Sequence, residues 1–165
     1  MVMNYKDPTI IIEKNAKIGK NVKIAPFTII KNNVTIGDNV EIKEFTRIDN
    51  GVFVGNNVQI RGHSVLCENM VIEGNNDLGH ELVCTNHIFL AKFSKKIEDV
   101  VKPPVIRLGA SIGARVLLMP GVEIGKNSII GENSMVNKKI PEGQIWFGSP
   151  AKFVRKIKPE ERIVD

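Results

Sequence analysis

Nearly every sixth residue of this chain is apolar, and that beat leaves few folds open. Counting by six from Ile12 meets Ile18, Ile24, Ile30, Ile36, Ile42, Ile48, Val54, Ile60, Leu66, Ile72, Leu78 and Cys84. A second run takes Ile106, Ile112, Leu118, Ile124, Ile130 and Val136. An amphipathic helix repeats every 3.6 residues and a half-buried strand every two, so neither sustains a period of six. A fixed internal repeat marks a solenoid, in which each unit buries its apolar face on its neighbours.

Two more columns keep the same beat. Two residues before the aliphatic stand mostly small or β-branched side chains: Ala16, Val22, Thr28, Val34, Val40, Val52, Val58, Val116 and Val122. Side chains two apart on a strand share a face, so these two columns point inward together. Three residues after the aliphatic, Asn recurs at Asn15, Asn21, Asn33, Asn39, Asn57, Asn69, Asn75, Asn127 and Asn133. Asn tolerates left-handed backbone better than other non-glycine residues, and this column predicts corners between short strands. Three six-residue sides make a triangular coil of 18 residues, and nineteen steps make about six coils. A β-sandwich would need hairpin turns every 8–12 residues, and the sequence has none. The fold class is all-β, a parallel β-helix.

Composition agrees. Aromatics are 5% of the 165 residues, with one Trp and one Tyr, as thin aliphatic layers require. The net charge is +5, but Lys and Arg interleave with Asp and Glu except at Lys152–Lys158. No aromatic platform accompanies that basic cluster, which argues against a nucleic-acid partner. Two cysteines do not make a disulfide framework, and no apolar run reaches membrane-spanning length. A cytoplasmic protein without membrane contact is expected.

The period breaks between Cys84 and Ile106, a gap of 22 that is not a multiple of six. A loop over residues 87–104, carrying Phe89, Phe93 and Lys95-Lys96, must leave the prism and return. Long loops on a regular scaffold usually serve binding. The chain thus reads as one domain over residues 1–157 with that ejected loop. A short tail, 158–165, follows, where Pro159 is suited to open a helix.

The repeat, seen as Ile18-Gly19, Ile36-Gly37, Val54-Gly55, Ile112-Gly113, Ile124-Gly125 and Ile130-Gly131, resembles the hexapeptide-repeat acyltransferases. The resemblance covers residues 9 to 157. It implies a left-handed helix, against the usual right-handed crossover rule, and a homotrimer with acetyl-CoA as co-substrate. Gly148-Ser149-Pro150-Ala151-Lys152, followed by Arg155-Lys156, resembles the family's terminal coenzyme A motif. Carried over by motif position, Ala114, Asn137, Lys138, Lys152 and Arg155 are the expected coenzyme A contacts. Arg grips phosphate through paired donors, which suits the nucleotide end.

Acetyl transfer needs a nucleophile, an acceptor for its proton and a donor facing the developing oxyanion. Three histidines are available. His87, in Val83-Cys84-Thr85-Asn86-His87, resembles the catalytic histidine segment of galactoside and maltose O-acetyltransferases, and the register to Gly148 runs without a gap. Ile88 stands where that family usually has Pro. His80-Glu81 resembles the base and its acid in UDP-N-acetylglucosamine O-acyltransferases and bacillosamine-type N-acetyltransferases, and Glu81 displaces the corner Asn. His63 also occupies the Asn column and reads as a corner residue. Histidines 17 and seven apart do not match the zinc ligands of γ-class carbonic anhydrases, which stand five apart, so no metal is expected.

Thr85-Asn86 with Lys102-Pro103-Pro104 to Ala114 resembles the N-acetyltransferases of nucleotide-linked amino sugars, although their Pro-Arg-containing loop is missing. That resemblance implies Asn86 in substrate binding. The expected function is acetyl-CoA-dependent N-acetylation of a nucleotide-linked amino sugar for surface glycans. Sugar O-acetylation of galactoside or maltose type is the alternative within the class. A γ-carbonic-anhydrase-like enzyme or a non-catalytic trimeric scaffold is the alternative outside it.

Overall fold

The structure, a computed structural model, describes residues 7–88 and 100–164. Nineteen strands, mostly of two residues, run from Ile11–Ile12 to Met135–Val136 among the described residues. Up to Leu117–Leu118 each pairs in parallel with the third strand after it: Ile12 opposes Ile30, Ile30 opposes Ile48, and Ile48 opposes Leu66. One coil is therefore 18 residues, and three sheets of seven, six and eight strands form the sides. The fold is the left-handed parallel β-helix of hexapeptide repeats, which the sequence period had to produce in outline.

The stepped aliphatics form the core, with Ile30, Ile48, Ile60, Leu66, Ile72 and Ile106 fully buried. Burying one such side chain contributes about 1.5–3 kcal/mol, and stacking repeats that gain at each coil. The small column lies inward as well, and at Thr28, Ser64 and Ser134 the hydroxyl donates to a backbone carbonyl, whereas the buried Thr46 hydroxyl has no partner among the described residues.

The corners carry positive φ at Asn21, Asn33, Asn39, Asn57, Asn69, Asn75, Asn127 and Asn133, while Asn15 is not among them. Along one edge the amides form a ladder. Asn21 Nδ2 donates to Asn39 Oδ1 at 3.1 Å, Asn39 to Asn57 at 3.2 Å, and Asn57 to Asn75 at 2.9 Å. On the next edge Phe27, Phe45 and His63 hold the same left-handed conformation, and their rings stack at 5.0 and 4.8 Å. His63 is thus a corner residue, as its column predicts.

The insertion sits at the third edge. Val65 opposes Val83, 18 residues on, but Val83 opposes Leu117, 34 residues on. The coil therefore holds 34 − 18 = 16 extra residues. Its neck is a short antiparallel bridge between His87 and Val101, with Lys102 N–H donating to the Asn86 carbonyl at 2.6 Å. Phe89, Phe93 and Lys95-Lys96 lie outside the described residues. Where the chain rejoins the prism, buried Asn76 donates to the carbonyls of Arg107 (2.9 Å) and Ala110 (2.8 Å). Arg107 bridges Glu73 at 2.6 Å and Glu123 at 2.9 Å. Those two contacts fix the register on re-entry.

After the last coil, Gln144–Phe147 adds to the third sheet and Lys152–Lys156 returns antiparallel beside it. Pro159–Glu161 forms a single 3₁₀ turn. Asn127 then accepts from the backbone N–H groups of Ile163 and Val164 at 3.1 and 3.0 Å. No helix among the described residues is long and apolar enough to cross a membrane.

Candidate active site

The outer face of the seven-stranded sheet is unusually apolar. Strand alternation turns seven side chains outward, six of them apolar (Ile11, Ile29, Val65, Val83, Leu117 and Met135) and one charged (Arg47), and Ile11 and Val83 remain 51% and 41% exposed. The equivalent outward positions of the eight-stranded sheet begin Lys23, Glu41, Gln59, Asp77 and Ser111. One side of the prism therefore differs from another in kind.

At the loop's neck this face deepens into a cleft of about 730 Å³. Asn86, His87 and Ile88 form one wall, and Val65, Leu117, Met119 and Pro120 contribute apolar surface. Cys67, Cys84, Thr85, Asp49 and Asn137 complete the lining. The elements explain the convergence. Asp49, Cys67 and Thr85 follow the aliphatic of successive coils at 18-residue spacing, and Met119 and Asn137 continue that column past the insertion. His87 occupies the corner position at which the loop departs and is exposed. Asn86 is 7% exposed and donates to the Glu68 carbonyl at 3.3 Å, which holds its amide beside the cleft.

Three of the residues picked from sequence, Asn86, His87 and Asn137, thus share one cavity. His80 and Glu81 do not join them. They stand on the opposite edge of the same sheet, exposed, where Glu81 pairs with Arg115 at 3.4 Å and the His80 carbonyl accepts from Arg115 N–H at 2.7 Å. Glu81 and Arg115 line a shallower groove of about 470 Å³, and Leu117 borders both this groove and the cleft. Ala114 lies near that edge, its carbonyl accepting from Asn133 N–H at 2.7 Å. Lys138 places its ammonium 5.7 Å from the centre of the Trp146 ring, a favourable cation–π distance. Lys152 lines a separate recess with Phe147, Gly148 and Phe153. Arg155 is clasped by Glu161 through two 2.7 Å contacts.

The cysteines are poor nucleophiles. Burial chiefly, with the Asp49 carboxylate adding to it, pushes the Cys67 thiol up to about 11. Burial, and then Cys67, pushes Cys84 well above the ordinary thiol range. Neither is a thiolate near neutrality, so a covalent cysteine intermediate is disfavoured. Among the described residues no cluster of three His, Cys, Asp or Glu is placed to hold a metal ion. Sequence reading missed Asp49, Cys67 and Met119. Their signal was the position just after each stepped aliphatic.

The fold is a parallel β-helix of hexapeptide repeats, and the cleft lies on its seven-stranded side. The bacterial transferase hexapeptide family (six repeats) matches residues 15–50 and 103–138. Among solved structures, a single-residue mutant of AntD, an N-acyltransferase from Bacillus cereus in complex with dTDP and coenzyme A, superposes with a TM-score of 0.78. That match is 22% identical and covers 87% of this chain and 84% of that one. A galactoside acetyltransferase in complex with coenzyme A matches with a TM-score of 0.56 and 28% identity, over 88% of this chain and 66% of that one. The galactoside O-acetyltransferase of Lactococcus lactis is 42% identical over 67 residues, 41% of this chain and 29% of that protein. The match thus spans less than a third of that relative's length.

Proposed function

We propose that the protein is an acetyl-CoA-dependent acetyltransferase acting on a sugar, with a nucleotide-linked amino sugar as the leading acceptor. The observation that carries this reading is the meeting of Asn86, His87 and Asn137 in one cleft at the loop's neck. His87 takes the proton that the acceptor must lose, and the Asn86 amide supplies a donor toward the developing oxyanion. The pantetheine arm of acetyl-CoA needs an apolar wall, and Leu117, Met119 and Pro120 offer one. Asn137 and Lys138 continue toward the terminal sheet. There Lys152 and Arg155 face the anionic nucleotide end, and Ala114 lines the approach from the neighbouring edge.

The apolar outer face supports a homotrimer. Closed three-fold symmetry would cover that face in each copy and bring one subunit's His80–Glu81 edge toward another's His87 edge. In that arrangement His80 and Glu81 are the substitute base pair. Sugar O-acetylation is the second reading, favoured by the galactoside enzymes among the relatives. A hydroxyl acceptor makes His87 indispensable, whereas a neutral amine needs less help. The cytoplasm is the expected compartment.

Thermal unfolding with coenzyme A tests the proposal directly. A ligand at 100-fold excess over Kd stabilises by about 2.7 kcal/mol, read as a raised Tm. An unchanged Tm, together with no acetyl transfer to any amino or hydroxy sugar, overturns it.

A further inference from the structure

Asp49 is the one acidic residue among the described residues that line the cleft. Its neighbours there are largely apolar, and its carboxylate charge reaches inward far enough to act on Cys67. Arg47 contacts a single oxygen, Oδ1, through Nε at 2.7 Å, and the arginine side chain is itself 54% exposed. A carboxylate has about four acceptor sites, so one such contact leaves capacity for another cation. An ion pair this exposed is worth little and yields readily to a better-placed partner. A carboxylate lining the same apolar cleft as a histidine is poorly matched to a neutral hydroxyl and well matched to an ammonium.

The geometry points to Asp49 as the residue that selects a protonated amine as acceptor, drawing its ammonium into the cleft that His87 also lines. This rests on the acetyl-transfer reading above. The amine arrives as an ammonium and gives one proton to His87, which passes it to solvent. The freed lone pair forms the C–N bond to the acetyl carbonyl as the C–S bond to coenzyme A breaks. The departing thiolate takes the second nitrogen proton, so each turnover yields amide, coenzyme A thiol and one net proton. Asp49 stays ionised throughout and is a specificity-determining residue.

The test uses the full chain and matched acceptors, dTDP- and GDP-linked hexoses carrying either an amino or a hydroxyl group at one position. Coenzyme A release is followed with a thiol reagent. The amino member should be the better substrate. Asp49→Asn should raise its KM about tenfold or more while leaving KM for acetyl-CoA within about twofold, and Asp49→Glu should recover part of the loss. Faster turnover of the hydroxyl member, or an amino-sugar KM unmoved by Asp49→Asn, overturns the role of Asp49 and leaves acetyl transfer standing. Turnover of no acceptor by a protein that does not bind coenzyme A overturns both.

Discussion

Arg155 closes both arms of its guanidinium on Glu161, Nη1 to Oε2 and Nη2 to Oε1, each at 2.7 Å. The side chain expected to meet coenzyme A phosphate therefore already holds an anion of its own chain. Its geometry is the fork that suits carboxylate and phosphate alike. Glu161 is thus a built-in competitor. Glu161→Gln should lower KM for acetyl-CoA, and Arg155→Ala should raise it, with the unfolding midpoint of each variant recorded to confirm folding. An unchanged KM in Arg155→Ala removes this residue from the coenzyme A site.

The same contact has a pH signature. The hydrogen bond from Arg155 chiefly, then the one from Lys158 N–H, holds the Glu161 carboxyl at about 2, below its ordinary range. A carboxyl lowered in the folded state contributes stability above its unfolded value, and that contribution is lost as pH falls through the folded one. The turn at Pro159–Glu161 should therefore hold through mild acid and loosen only as pH approaches about 2. Carbon-detected NMR titration of Glu161 should give that low midpoint, and Arg155→Ala should return it to the ordinary glutamate range.

For the base, His87→Ala should lower kcat with a hydroxyl acceptor by about 10²–10⁴-fold, the usual worth of general base catalysis. His80→Asn should be far milder, because His80 stands outside the cleft. The reverse order would move the chemistry to the His80–Glu81 edge.

Assembly is read by light scattering, which should give a trimer at micromolar concentration. Val83→Lys, placing a charge at the middle of the apolar face, should shift it toward monomer. A wild-type monomer at that concentration sinks the trimer.

Asn76 should matter to stability more than its neighbours. It accepts from Gly74 N–H at 2.9 Å and donates to two carbonyls, and it is 2% exposed. Asn76→Ala leaves those backbone groups unpaired in the core, at a cost of about 1–3 kcal/mol for each unsatisfied group. Urea unfolding should show the loss.

The period of six carried most of this architecture because each step makes one strand and each Asn one corner. It carried less where other residues take the corner. Phe27 and Phe45 hold positive φ without any intrinsic preference for it, and the stack with His63 became visible only once coils were superposed. The cleft was half legible. Asn86 and His87 are adjacent in sequence, but Asp49 and Met119 reach them only through 18-residue stacking across a coil with 16 extra residues. Such a register cannot be counted until the loop's exit and re-entry are known. The Arg155–Glu161 clasp was hidden for a similar reason, since the terminal hairpin abandons the repeat and slips register between Ile145 and Trp146.

The neck at His87 and Val101 lies late in the prism, and the cleft takes its walls only from Asp49 onward. The coils before Asp49 are therefore interchangeable modules. Removing or duplicating one 18-residue turn there would keep every strand in step and leave the lining of the cleft unchanged. Their number sets the length of the prism, as a ruler does, so the protein can grow or shrink along its axis without renegotiating its chemistry.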